Sequence, residues 1–219
     1  MAIEDMVKRH TNFDDTKDFI PTPPWATRVL YEEVVPHMKR NASNFSVWDP
    51  AMGAGHMVKV FAEYGHPDVR GSDLYSHPRV PNLPKGVRSW TEDFVKCPPT
   101  EKIDIIVTNP PYKHLGAFIK RSLGQAQFGV GMLVRVQALE SEKRYNEIFR
   151  GMPPTKIAFF ANRIPFKTGE VRQKAPKMYF HVWLWWQKLH TGELCPAQPP
   201  MWIPFDAQQK YEKESDYEC

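Results

Sequence analysis

Ile103-Asp104-Ile105-Ile106-Val107-Thr108-Asn109-Pro110-Pro111-Tyr112 is the stretch from which the rest of the chain is read. Its first six residues are mostly apolar and β-branched, with a charged segment before them and two prolines soon after. That pattern predicts a buried strand of the parallel type that stops abruptly. In open α/β sheets, ligands sit beyond the carboxyl ends of the strands. The two prolines fix φ and remove two backbone donors. The loop therefore offers carbonyl acceptors, a side-chain amide and an aromatic face, with little flexibility. It is a poor anion site and a good place to hold a flat group that bears an amine.

The segments on either side supply the partners of such a strand. A helix is expected over Ala26 to Val35, with Thr22 as its cap, Pro23 in the first turn and Pro36 ending it. Phe45 to Trp48, Val69 to Ser72 and Val87 to Trp90 read as strands, the second ending at Asp73. Helices are expected over 56–64, 114–127 and 141–149, and a further strand over Gly129 to Val136. Lys156 to Phe160 and Tyr179 to Trp186 read as a hairpin joined by a basic loop. Alternating βα units followed by a hairpin predict an α/β fold. Its sheet is mostly parallel with an antiparallel β-hairpin edge and helices on both faces. One domain is expected over 19–189, after a flexible N-terminus at 1–18. A proline-rich acidic tail at 190–219 should run over the surface as extended chain.

Composition sets further bounds. The 219 residues include 21 prolines and 7 tryptophans but no apolar run near the roughly 18–20 residues that span a bilayer. No basic-then-apolar signal opens the chain. Three scattered cysteines, Cys97, Cys195 and Cys219, suggest a reducing compartment and no zinc site. His56, His66 and His77 share no metal-ligand spacing, and all three read as surface or turn residues. Of 29 basic and 25 acidic residues, the tail takes two lysines and six acids, which leaves 27 against 19 in the body. A basic body suits a polyanionic partner.

Asp49-Pro50-Ala51-Met52-Gly53-Ala54-Gly55 occupies the turn from the first strand to the next helix, where two glycines let backbone approach a ligand. The third glycine of a dinucleotide fingerprint would fall at Val58, so this is a poor pyrophosphate cradle. The acid in front of the glycines favours a ligand with positive charge. Asp73 ends the second strand and can accept ribose hydroxyls. Asp93, beside Phe94 after the third, can accept an amino group whose ring an aromatic stacks. Three acids and a Gly-Ala-Gly turn on one sheet edge describe a nucleoside pocket with an amino acid attached.

The glycine turn and the Asn109-Pro110-Pro111-Tyr112 loop, in this order and spacing, resemble the S-adenosylmethionine-dependent amino-methyltransferases. The likeness is greatest to the N6-adenine DNA enzymes, including small ones of phage and prophage type, and covers roughly 19–186. It implies a Rossmann-like class I methyltransferase fold, S-adenosyl-L-methionine as cofactor, no metal, and work in the cytoplasm of a bacterial or phage-infected cell. It also assigns roles. Asp49, Pro50, Ala51, Gly53 and Gly55 belong to the cofactor turn, Asp73 with Leu74 to the ribose contact, and Asp93 with Phe94 to the adenine contact. Phe19-Ile20-Pro21-Thr22-Pro23 looks like the N-terminal cofactor motif, and Asn109 to Tyr112 is the catalytic motif.

In the chemistry this implies, the Asn109 side-chain oxygen and the Pro110 carbonyl accept hydrogen bonds from both N–H groups of an adenine amine. Its lone pair is then released for attack on the sulfonium methyl. Tyr112 stacks on the base, which leaves the duplex by flipping. Lys113, His114 and Lys120/Arg121 could meet the DNA backbone. So could Arg163 and the basic loop with Lys167, Arg172, Lys174 and Lys177. With so little chain for target recognition, short or relaxed specificity is expected. Protein glutamine amides, RNA adenine, cytosine N4 and a non-enzymatic nucleic-acid-binding relic stay open as alternatives. Arg135 and Glu140 are candidates for an ion pair beside the pocket, while Trp183, Trp185 and Trp186 are expected in the core.

Overall fold

The computed structural model describes residues 21–76, 82–98, 101–166 and 179–217. Eight strands form one sheet in the order β3-β2-β1-β4-β5-β7-β6-β8. They are β1 Val47–Asp49, β2 Val69–Asp73, β3 Arg88–Thr91, β4 Ile103–Thr108, β5 Ala126–Arg135, β6 Lys156–Phe160, β7 His181–Gln187 and β8 Met201–Ile203. The first five are mutually parallel, β7 runs antiparallel to both β5 and β6, and β8 joins β6 in parallel. The expected α/β architecture is therefore present, with its hairpin edge extended by one strand. Strand order reverses between β1 and β4, which puts a ligand crevice at their carboxyl ends.

Helices α1 Pro24–Val29, α2 Pro36–Arg40, α3 His56–Glu63, α4 Leu115–Gln125, α5 Glu142–Arg144 and α6 Ala207–Tyr211 accompany the sheet. The single helix expected over Ala26 to Val35 is instead α1 followed by a π-helical turn, Leu30–Val34. Its cap is also different. Pro23 holds the N-cap position without a side-chain bond, and Thr22 is engaged elsewhere. The helix expected over 141–149 is likewise split, into α5 and a π-helical turn at Tyr145–Phe149.

Two apolar layers cover the sheet. Strand β7 alternates between them, with Trp183 and Trp185 in one and Val182, Leu184 and Trp186 in the other. All three indoles are buried and each donates, to the carbonyls of Ala26 and Met152 or to the Gln187 side chain. Gly129 is required beneath them, since a Cβ there would stand 2.3 Å from the Trp185 ring.

The tail does not simply lie across the surface, because Met201–Ile203 completes the sheet and α6 packs on α1. Arg28, 5% exposed, fastens this segment. It donates to Glu63 at 3.0 Å, to Asp216 at 2.7 Å and to the Tyr211 carbonyl at 2.8 Å. Lys213 adds a contact to Glu63, and Tyr211 one to Glu33. Removing one member of a buried ionic cluster strands the others. Arg28→Ala is expected to cost about 3 kcal/mol of stability, seen as a lower urea midpoint with an unchanged slope.

Among the described residues no helix is long and apolar enough to cross a membrane.

Candidate active site

At the carboxyl ends of β1, β2, β3 and β4 lies a cavity of about 570 Å³, a size suited to a small-molecule or cofactor site. Asp49 and Asp73 line it from the ends of β1 and β2, Asp93 from the turn after β3, and Asn109 from the end of β4. Pro21, Thr22, Pro50, Ala51 and Gly53 also line it, with Leu74 and Phe94. Pro110, Pro111, Tyr112, Lys113 and His114 line it as well.

Gly53 and Gly55 have positive φ, 51° and 79°, which turns the chain sharply from β1 into α3. Gly55 itself does not line the cavity. It is the N-cap of α3 in the left-handed conformation, and a Cβ there would meet the Leu83 side chain at 2.4 Å. Phe94 is almost fully enclosed, its ring 5.1 Å from Trp48 with the Arg121 guanidinium 5.1 Å from its centroid. Most of that ring therefore packs in the core.

The acids differ in state. Asp49 is 2% exposed and accepts the Ala51 N–H at 3.1 Å; burial pushes its carboxyl up to about 7. Asp73 accepts the Gly53 N–H at 2.8 Å, and burial raises its carboxyl too. Asp93 behaves oppositely: against the burial penalty, Lys96 and the N–H groups of Val95 and Lys96 together hold it below the usual carboxylate range. Two of the acids that line the cavity are thus pushed toward the protonated form in the ligand-free chain.

Asn109 Nδ2 donates to Thr22 Oγ1 at 3.1 Å. Thr22, read from sequence as a helix cap, thus orients the side chain at the head of the Asn-Pro-Pro-Tyr loop across 87 residues of chain.

Two neighbours escaped the sequence reading. His56 is buried and lines the cavity from the start of α3 rather than sitting on the surface; its position next to Gly55 was the available signal. Glu92 also lines it, accepting from Ser72 Oγ at 3.0 Å, which in turn accepts from Trp48 Nε1. His66 is not a surface residue either: it bonds the Tyr31 hydroxyl and the Phe45 carbonyl. Lys120 pairs with Glu147 at 3.0 Å, and Arg121 donates to the Pro98 carbonyl. Arg163 stacks on Phe180, 4.3 Å from the ring centroid and away from the cavity. Phe19, Ile20, His77, Lys167, Arg172, Lys174 and Lys177 lie outside the described residues.

No protein-family model and no curated protein matches the sequence. Solved structures do. A candidate class I S-adenosylmethionine-dependent methyltransferase from Listeria monocytogenes superposes with a TM-score of 0.57 at 11% identity, covering 89% of this chain and 68% of that one. The fold is that of the class I methyltransferases. The M protein of the type I restriction enzyme EcoKI also reaches 0.57, at 14% identity, over 82% of this chain and 46% of its own length. A candidate RNA methyltransferase from Pyrococcus horikoshii reaches 0.53 at 11% identity, over 73% and 79% of the two chains.

Proposed function

We propose that the protein transfers a methyl group from S-adenosyl-L-methionine to the exocyclic N6 amine of adenine in DNA. The observation that carries this reading is the Asn109 amide. It is held by Thr22 at the end of β4 and lines the same cavity as Asp49 and Asp73. The fit to the cofactor is chemical. Buried carboxyls suit its cationic end, and Asp73 at the end of β2 suits a ribose.

When bound, S-adenosylmethionine supplies an electrophilic methyl group on a positively charged sulfur. The chain's part is to make a poor nucleophile competent. An adenine amine delocalises its lone pair into the ring. Asn109 and the Pro110 carbonyl accept hydrogen bonds from its two N–H groups and draw the nitrogen toward tetrahedral geometry; methyl transfer leaves S-adenosylhomocysteine, and the methylated amine gives up one proton to solvent. Tyr112 lays its ring on the base, a contact worth about 1–3 kcal/mol. Positioning and pre-aimed dipoles supply most of the rate.

DNA is favoured as substrate by the likeness to the M protein of EcoKI, by the basic body of the chain and by the motif order. An RNA substrate has the Pyrococcus neighbour on its side. Incubating the protein with isotopically labelled S-adenosylmethionine and DNA, RNA or protein in parallel separates these. Nucleoside mass spectrometry is expected to find label on N6-methyladenine from DNA. Label on cytosine N4 would overturn the base assignment, and label confined to RNA or to glutamine would overturn the substrate.

A further inference from the structure

Arg135 closes β5 opposite His181 of β7. Among the described residues no carboxylate pairs with it; Glu140, its candidate partner from sequence, is exposed. Its guanidinium carbon lies 4.0 Å from the centroid of the Tyr112 ring and 3.8 Å from that of Tyr179. A planar cation thus lies against two aromatic rings, and its buried Nε has no hydrogen-bond partner among the described residues. Ring faces attract a guanidinium. They do not satisfy its N–H donors, which match carboxylates and phosphates best. The cation is well placed here but easily exchanged.

The dimensions of the slot are informative. Stacked bases lie about 3.4 Å apart, so the guanidinium stands from each ring at close to the distance of a stacked planar group. Tyr112 lines the large cavity whereas Arg135 and Tyr179 do not, so the slot shares one wall with the cavity. Its outer surroundings combine aromatic and cationic groups. Tyr179 and Phe180 are 37% and 47% exposed, and Arg163 lies over Phe180. Such a mixture suits a single-stranded stretch of nucleic acid.

We propose that Arg135 is a placeholder for the substrate's nucleobase. Its guanidinium fills the slot between Tyr112 and Tyr179 at rest and exchanges this place for a phosphate of the strand when the base enters. The inference rests on the nucleobase reading above and sharpens it. A nucleotide brings both a planar ring and a phosphate, so it can complete the exchange. A glutamine amide brings neither.

The test uses 2-aminopurine deoxyriboside, with and without a 5′-phosphate, titrated by fluorescence quenching into the full chain with S-adenosylhomocysteine present to fill the cofactor cavity. The wild-type protein should prefer the phosphorylated probe. Arg135→Ala should bind the unphosphorylated nucleoside on the order of tenfold more tightly, two cation–π contacts no longer having to be broken. It should also lose the phosphate preference. Arg135→Lys should tighten the nucleoside as well while keeping that preference, because an ammonium carries the charge without the plane. Should Arg135→Ala fail to fold by thermal melt, the lysine variant makes the same comparison.

Tyr179→Ala, outside the cavity wall, should abolish quenching that arises in the slot. If nucleoside affinity is unchanged or weaker in Arg135→Ala, the placeholder is overturned and the residue merely props Tyr112. Failure of the methylation reading looks different. The wild-type protein would then yield no methylated adenine, or would not bind S-adenosylhomocysteine. The Tyr179-dependent quenching and its response to Arg135 would still be read.

Discussion

Asn109→Ala is expected to lower the rate of methyl transfer by about a hundredfold to a thousandfold, the usual loss when one pre-aimed polar group at a reacting centre is removed. S-adenosylmethionine binding should change little. The reason lies in the division of labour around the cavity. Asp49 and Asp73 hang from β1 and β2, whereas Asn109 stands at the end of β4 and is held there by Thr22. Alanine deletes the amide but leaves Pro110, Pro111 and the backbone course intact. The proposed role, accepting a hydrogen bond from the target amine, is exercised as the nitrogen changes geometry, so the loss should fall on kcat more than on KM. Single-turnover transfer with the cofactor pre-bound, beside calorimetric titration of the cofactor, separates the two. A variant that transfers at the original rate would remove Asn109 from the mechanism. Thr22→Val should reproduce part of the defect by leaving the amide free to rotate, a result that a simple capping role for Thr22 would not produce.

That contact also marks where sequence reading reaches its limit. Strand β4 has the bounds expected of it because a β-branched run between a charged segment and two prolines has one good solution. The glycine turn likewise leads into α3 where a positive φ is needed. These are local decisions, legible from neighbours in the chain. Thr22 with Asn109, Arg135 with Tyr112 and Tyr179, and Arg28 with Asp216 are pairings across tens to hundreds of residues. Nothing in local pattern selects those partners. Thr22 illustrates the ambiguity, since a threonine before Pro-Pro is a good helix cap in isolation and only the packed sheet offers it an amide instead. The tail was misread for a related reason. Its prolines suggested extended surface chain, yet Met201-Trp202-Ile203 between them is free to pair, and the open edge of β6 accepts it.

Asp49→Asn should make the ligand-free protein more stable at pH 8 and impair it as an enzyme. Burial raises this carboxyl from the usual range near 4 to about 7, so the folded chain holds a proton there that the unfolded chain has released. The sign follows from that difference: the group's contribution to stability is fully present below about pH 4 and is lost as pH rises through 7. At about 1.36 kcal/mol per pH unit, keeping this carboxylate ionised at pH 8 costs the empty fold on the order of 3–4 kcal/mol. Asparagine retains an acceptor for the Ala51 N–H and never ionises, so it relieves the cost. For a chain of this length each kcal/mol is worth roughly 2–4 °C in Tm, so a gain of several degrees is expected at pH 8 and almost none at pH 4. The opposite effect falls on binding. A cationic ligand over the cavity stabilises the ionised acid and lowers its pKa, so cofactor affinity in the native chain should rise with pH up to about 7. In Asp49→Asn it should be about tenfold to a hundredfold weaker and flat across that range, the loss of roughly 1.4–2.8 kcal/mol. Thermal melts at the two pH values and calorimetry from pH 5.5 to 8.5 measure both halves. A variant less stable than the native chain at pH 8 would show that the site favours the charged acid even when empty. Affinity independent of Asp49 would mean that the positive end of the ligand lies elsewhere. If both halves hold, the fold keeps at the end of β1 an acid that is a liability until the cofactor arrives, the expected trade between stability and activity at a binding centre.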